Sequence, residues 1–511
     1  MLRRNGIHNI NVLKKTMKVI FKYTAISDFI TSIVSDYKPF LFLLFIAIFL
    51  RFYKIEAFMT FLGDQGRDAL IVKNIITFHH FPAVGPPSSV GQLYLGPFYY
   101  YLISPFILIS NFDPVGLGLG VASIWIIGII AAYIFVKKIA NNKTTVIFSA
   151  LIIFSAELIK LGRFSWNPNL LPIFGFFTII TLHKWILAKK RRYALILGAL
   201  LSFSVQLHYL ALLLGLVILI YGLIELSKSE DKKEFLIQLG LIGFMFIFFL
   251  SPLIFFDIRH DYLNLKGFIS LLTKDTNAGG GSYLANLFIT IGYLIKNTIN
   301  PNVPIWLGAT IFTFIITSVY KLKKIKDKLF ININLLTLIV FILGFSLLDG
   351  SRFPHYFGTI YLSFYFLLAI VITNLVKSKY KNIIFSIIIL FFVILQTYGY
   401  QFIFEKPGFS KINYARTVAE SFSGKVTKEP IQIVALPYTE TDGHFRYFLN
   451  LEGYKVLDHD SYQKASELYV LCREECLPTD DPHWQIATFE NKLLQSSWKT
   501  NDVTIFKIVH K

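Results

Sequence analysis

The stretch "PFLFLLFIAIFLRFYKIEAFMTFLGDQGRDALIVKNIITFHH" (residues 39–80) sets two unlike patterns side by side. From Pro39 to Ile55 it is nearly unbroken apolar sequence, the composition of a bilayer-crossing helix. Beyond that, Ala69, Val72 and Ile76, with Ile71, Ile75 and Phe78, recur at helical spacing while Lys73, Asn74 and Thr77 stay polar. This pattern predicts an amphipathic helix lying along the membrane interface. At its head stand Asp64 and Asp68, one helical turn apart. Like charges at that spacing cost about a few tenths of a kcal/mol, and carboxylates beside lipid are costly unless something uses them. The plain structural reading is that Asp64 N-caps the helix. It leaves Asp68 and the flanking Gly63 and Gly66 without a role, whereas glycines let a ligand approach the backbone.

Outward from this stretch the same apolar texture continues. The chain of 511 residues is 54% hydrophobic and 16% charged, with mean hydropathy +0.57. A soluble domain is roughly a quarter charged, so that class is excluded. Spans are predicted near 39–55, 115–136, 144–160, 170–187, 193–207, 210–227, 235–256, 304–320, 330–348, 357–376 and 381–400. The connections "VKKIANNK" (136–143), "KKRR" (189–192), "SKSEDKKE" (227–234), "KLKKIKDK" (321–328) and "KSKYK" (377–381) are basic. With eleven spans and a cytoplasmic N-terminus, all of them fall inside, as orientation signals do. The net charge of +19 therefore belongs to the membrane part, because residues 401–511 carry 13 Lys+Arg against 15 Asp+Glu. Nucleic acid is not an expected partner.

Residues 1–35 read as a basic cytoplasmic lead-in without a cleavable signal. The segment 95–110, apolar but short and bearing Pro97 and Pro105, reads as re-entrant or interfacial; a full span there would turn two basic connections outward. The first outer loop is thus 56–114, the membrane domain 36–400, and 401–511 a small extracytoplasmic α/β domain. Its strands are expected in "PIQIVALPY", "YKVLDH", "ELYVLC" and "DVTIFKIV". Cys472 and Cys476 lie in that domain and can pair if oxidised.

The polar residues left outside are "GRFSWNPN" (162–169), "QLHY" (206–209), "DIRHDYLNLKG" (257–267) running on to Pro304, and "LDGSRFPHYFG" (348–358). Polar, non-helical backbone at membrane depth is tolerated where it lines a cavity. One outer cavity built from several loops is therefore expected. In it a partly desolvated Asp64 can act as general base toward a hydroxyl. Arg163, Arg259, His260, Arg352 and His355, each alone a candidate headgroup contact, together suggest an anion site, since the arginine fork grips phosphate. Trp166 and Asn167 suit stacking on and hydrogen bonding to a sugar, or anchoring at the interface; His208 and Tyr209 end a helix at the same face. No zinc-ligand spacing, P-loop or dinucleotide fingerprint is present.

These features resemble the GT-C glycosyltransferases, nearest the protein O-mannosyltransferase-like group that includes the aminoarabinose transferases of lipid A. The likeness covers roughly residues 36–400. The family's first loop reads Asp-Glu, two residues, then Tyr; in Asp64-Gln65-Gly66-Arg67-Asp68 the leading aspartate matches, Gln65 replaces the glutamate and Asp68 the tyrosine. Gly96-Pro97-Phe98-Tyr99-Tyr100-Tyr101-Leu102 is similar to a Pro-Pro-Leu-Tyr-Tyr/Trp-Leu motif with the first proline lost. "SRFPHYFG" is similar to a late Arg-Tyr, with Arg352 matching and Phe353 in place of the tyrosine. The resemblance implies an inverting transfer of a sugar from a polyprenyl-phosphate carrier to a hydroxyl of a protein, lipid or glycan at the outer face of the plasma membrane. Asp64 and Asp68 would be catalytic, the five cationic residues would hold the donor phosphate, and Gln65, Tyr100, Trp166, Asn167, His208 and Tyr209 would contact sugar or acceptor. No cofactor is expected; the paired acids would suit a divalent ion, used by oligosaccharide-transferring relatives but not generally by the single-sugar branch. A flippase of lipid-linked sugars is the alternative, although its ionisable groups would be expected near the midplane on repeated, broken helices. A scaffold for other envelope enzymes, the third reading, would show no deep outer cavity.

Overall fold

Long runs of Leu, Ile and Phe become helices here because lipid offers no hydrogen-bond partner to the backbone, and a helix satisfies it internally. The computed structural model describes residues 38–88, 93–274, 282–322, 326–406, 410–437, 441–458, 461 and 463–511; the basic lead-in at 1–35 lies outside them. Helices stand at all the predicted spans: residues 38–52, Val115–Ile139, Asn142–Phe154, Leu171–Ala188, Arg191–Leu207, Leu212–Lys228, Lys232–Arg259, Ile305–Lys321, Lys328–Phe345, Tyr361–Leu375 and Lys381–Leu395. Among the described residues, six helical stretches are long and apolar enough to cross a bilayer, and four apolar helices are shorter. The chain is a polytopic α-helical membrane protein. Its basic connections meet on one face: His183 Nε2 lies 2.8 Å from Asp327 Oδ2, Arg191 pairs with Glu234 at 2.6 Å, and Gln238 donates to the Lys189 carbonyl at 3.0 Å.

Three regions differ from the sequence reading. The expected span 144–160 stops at Phe154, where Ser155 turns extended and its hydroxyl accepts from Leu158 N–H to start a second helix, Ala156–Leu161. The 257–304 loop contains two helices, Leu263–Lys274 and Tyr283–Thr298. The second lies across the loop face: Asn286 donates to Asp349 at 2.6 Å near its start, and past its end Asn300 donates to the Leu395 carbonyl at 2.7 Å. The 95–110 segment folds as Phe98–Ile109, 12 residues, hence about 18 Å long and too short for a hydrocarbon core of roughly 30 Å.

The C-terminal part forms a four-stranded sheet in the order β1-β2-β4-β3, from β1 (Ile431–Leu436), β2 (Glu467–Cys472), β3 (Lys492–Thr500) and β4 (Val503–His510). β1 and β2 are parallel and the other pairs antiparallel. "YKVLDH" contributes only an isolated bridge, Val456 to Ile431. β3 carries no strand signal in the sequence because it is a largely exposed edge strand without apolar alternation. Cys472 and Cys476 form a disulfide.

This part docks on the amphipathic helix of the first loop. Helix Gly443–Leu451 lies against helix Gly63–Ile76, with Phe61 edge-on to Tyr447 and Phe448, Tyr447 donating to the Phe112 carbonyl at 2.6 Å, and Arg416 paired with Asp113 at 2.8 Å. Lys73 also donates to the Asn450 side chain. The glycines make the approach possible, and what they admit is protein, not ligand. A Cβ on Gly66 would stand 2.3 Å from the Gly443 carbonyl and the His444 nitrogen, and one on Gly63 would strike the Thr441 hydroxyl. Gly66→Ala is therefore expected to cost about 1–3 kcal/mol, the range of an overpacked contact. Thermal unfolding in detergent and limited proteolysis around residues 405–430 should both report it. An unchanged melting temperature with an unchanged cleavage pattern would show that the helices do not rely on this contact.

Candidate active site

Helix Gly63–Ile76 begins six residues before the apolar stripe, because its first turn is stabilised by its own sequence. Gln65 Oε1 accepts the Leu62 N–H at 3.1 Å, so Gln65 closes the helix start and is buried there. Asp64 sits in the first turn and does not cap. The inner stripe, Ala69, Val72 and Ile75, is buried against the protein.

The two aspartates occupy contrasting environments. The Asp64 side chain is 53% exposed, whereas that of Asp68 is fully buried. Arg67 joins them, reaching Asp64 Oδ1 at 3.0 Å and Asp68 Oδ1 at 2.8 and 3.0 Å. Tyr100 donates a further bond to Asp68 Oδ1 at 3.2 Å, while Asp68 Oδ2 is buried with no partner. Burial pushes the Asp68 carboxyl above the usual range, and Arg67 opposes that rise. Asp64 is thus the accessible carboxylate, held from one side by a cation that Asp68 anchors from below.

A continuous path leads from this pair into the other loops. Tyr99, beside Tyr100, meets the Ser165 hydroxyl at 2.6 Å. Next to Ser165, Trp166 packs against His355 with ring centroids 4.5 Å apart. His355 lies 4.4 Å from Tyr356, and His208 lies 5.1 Å from Tyr356 and 5.9 Å from His355. Asn167 fastens the loop by donating to the Leu207 carbonyl at 2.8 Å, and Tyr209 donates to the Tyr94 carbonyl. His208 is lowered to about 4 by burial, and its Nδ1 accepts the Leu210 N–H. It is a neutral ring at ordinary pH, a hydrogen-bonding group and not a cation. Trp166, His208, His355 and Tyr356 therefore come together as an aromatic wall.

The expected cluster of arginines does not assemble. Arg163 is buried beneath Phe402, its guanidinium 3.8 Å from the ring, and donates to the Leu50 and Tyr53 carbonyls at 2.8 Å. Arg352 gives its fork to Thr290 Oγ1 and to the Gly350 and Leu348 carbonyls. Arg259 is exposed at the end of helix Lys232–Arg259 and has no hydrogen bond or ion pair with a described residue. His260 stacks on Phe256 at 4.0 Å and bonds to its carbonyl. Two further charged groups, Lys160 and Glu157, carry no signal in the sequence pattern. Lys160, on the short Ala156–Leu161 helix, acts electrostatically on both His355 and Glu157. Burial raises the Glu157 carboxyl despite Lys160. The signal for Arg67 is its position three residues after Asp64 and immediately before Asp68. Among the described residues no group of three or more His, Cys, Asp or Glu is placed to hold a metal ion.

His444, whose backbone touches Gly66, gives a pH test of the docking helix. Burial lowers it to about 4, against the pull of Asp442, and its Nδ1 has no partner. Because the folded value lies below the unfolded one, its contribution is intact above pH ~6.5 and is lost as pH falls toward 4, by about 3 kcal/mol in full. Denaturation midpoints from pH 7 to 4.5 should fall for the wild type and stay flatter for His444→Phe. Parallel curves would remove His444 as the titrating group.

A bundle whose first loop is an amphipathic acidic helix packed against a small sheet domain is a fold shared with solved structures of low sequence identity. The crystal structures it resembles include ArnT from Cupriavidus metallidurans. The form bound to undecaprenyl phosphate matches at TM-score 0.61 and 13% identity, over 92% of this chain and 98% of that one. The apo form matches at TM-score 0.57 and 13% identity, over 93% and 98%. No family model matches the sequence, and no curated protein matches it significantly.

Proposed function

We propose that the protein is an inverting glycosyltransferase that moves a sugar from a polyprenyl-phosphate carrier to a hydroxyl acceptor at the outer face of the cell membrane. The observation that carries this reading is the pairing of an accessible carboxylate, Asp64, with a buried one, Asp68, through Arg67, in the first loop of a fold shared with a protein crystallised with undecaprenyl phosphate. Asp64 takes the proton of the acceptor hydroxyl as its oxygen attacks the anomeric carbon. The bond from that carbon to the carrier's phosphate oxygen breaks, and the phosphate leaves with the electron pair. Its charge needs electrostatic stabilisation and no general acid. Lys160 and Arg259, with His260, remain available for it, whereas Arg163 and Arg352 are committed to protein acceptors. Trp166, His208, His355 and Tyr356 form the wall on which the sugar lies. The outer placement is supported by the basic connections gathering on the opposite face and by the Cys472–Cys476 disulfide, which belongs in an oxidising compartment. Purified protein incubated with a panel of polyprenyl-phosphate sugars and candidate acceptors should release free carrier phosphate with one donor. Release from none, with the donors shown to bind, would sink the enzyme reading in favour of a carrier.

A further inference from the structure

At the basic face a cavity of about 520 Å³ opens where helices Asn142–Phe154, Tyr361–Leu375 and Lys381–Leu395 meet. The Thr144 and Thr373 hydroxyls, 2.9 Å apart, join two of these helices at its edge. Lys143, Lys377 and Lys381 line the cavity together with Phe385, and the Lys143 ammonium lies 5.8 Å from that ring. No carboxylate lines it, and none of the three lysines forms an ion pair with a described residue. Desolvation lowers the Lys143 ammonium, and the neighbouring Lys381 side chain adds to that lowering. Two helices also begin here, at Asn142 and at Lys381, adding the partial positive charge of their N-termini. From the rim, Ile383, Ile387, Leu390 and Phe391 run down helix Lys381–Leu395 as an exposed apolar stripe.

Lysines at this face are accounted for as orientation signals. That reading requires neither a cavity nor two neighbouring lysine side chains. A cationic niche without a counter-ion, continued by an apolar track on a lipid-facing helix, has the profile of an amphiphile with an anionic head. We propose that this cavity binds the phosphate headgroup of an anionic glycerophospholipid, with Lys143, Lys377 and Lys381 around the phosphate and an acyl chain along Ile383, Ile387 and Phe391. The site lies at the opposite end of the bundle from the aspartates and does not depend on the reading of the active site. Inorganic phosphate shares the head chemistry and lacks the tail, so it separates a lipid site from a free-anion site.

Native mass spectrometry of the full chain with phosphatidylglycerol and phosphatidylcholine tests this. The wild type should retain phosphatidylglycerol preferentially, and millimolar inorganic phosphate should not displace it. Lys143→Gln with Lys381→Gln should lower the preference by about thirty-fold, the effect of two lysines at a membrane surface. Lys143→Arg with Lys381→Arg should keep it. So should Lys190→Gln with Lys233→Gln, which removes two lysines of the same face outside the cavity. Undiminished preference in the first variant, equal loss in the last, or displacement by inorganic phosphate would overturn the proposal.

Discussion

Asp64→Asn is expected to lower sugar transfer by about 10²–10⁴-fold, the usual contribution of a positioned general base, with little change in folding. The amide keeps an oxygen for the Arg67 guanidinium, 3.0 Å away in the native protein, but it cannot accept the acceptor's proton. Because the Asp64 side chain is half exposed, its loss removes no buried charge, and an exposed ion pair is worth about 0–1 kcal/mol. Carrier release under single-turnover conditions, measured beside the melting temperature and donor retention, checks this. A variant that binds donor, melts like the wild type and no longer turns over fits the assignment. If it turns over normally, the base lies elsewhere, and Glu157, a carboxyl raised by burial near Lys160, becomes the residue to replace.

How far the site was legible in the sequence depended on whether the signal was periodic or conformational. The spans and the acidic amphipathic helix follow from hydrophobic spacing, and the helices stand where that spacing put them. The arginines were a different matter. Sequence places a charge relative to the membrane but does not say what the guanidinium faces. Helix ends expose unpaired carbonyls, and Arg163 satisfies two of them, at Leu50 in the last turn of helix 38–52 and at Tyr53 just after it. Arg352 likewise serves the carbonyls of Leu348 and Gly350 beyond helix Lys328–Phe345. A basic residue facing the end of another helix is thus a structural candidate before it is a ligand. Gly63 and Gly66 are read from sequence as admitting a ligand, but what approaches them is Gly443, far away in sequence, and only the folded chain supplies it. The lateral helix Tyr283–Thr298 is hidden in the sequence because the polar stretch "KDTNAGGGS" before it has the composition of a loop.

Arg67→Met should cost more stability than any other change in this site, about 3–5 kcal/mol, because it leaves a buried carboxylate without its cation. In the native protein Asp68 Oδ1 accepts from both Arg67 and Tyr100 while Oδ2 has nothing; without Arg67 the tyrosine alone would face the charge. The sign of the pH dependence then follows. The Asp68 carboxyl, already raised by burial, would rise further once its opposing cation is gone. An acid whose folded pKa exceeds its unfolded value is favoured while protonated, and that stability is lost as pH increases through the folded value. The deficit of Arg67→Met should accordingly shrink at acidic pH and widen toward neutrality. Adding Asp68→Asn removes the stranded charge, so the double variant should recover most of the stability at pH 7. Transfer should stay low in both, because Asp64 has lost the group that orients it. A double variant no more stable than the single one would show that Arg67 does not act through Asp68, and full activity in either would free Asp64 from its dependence on the guanidinium.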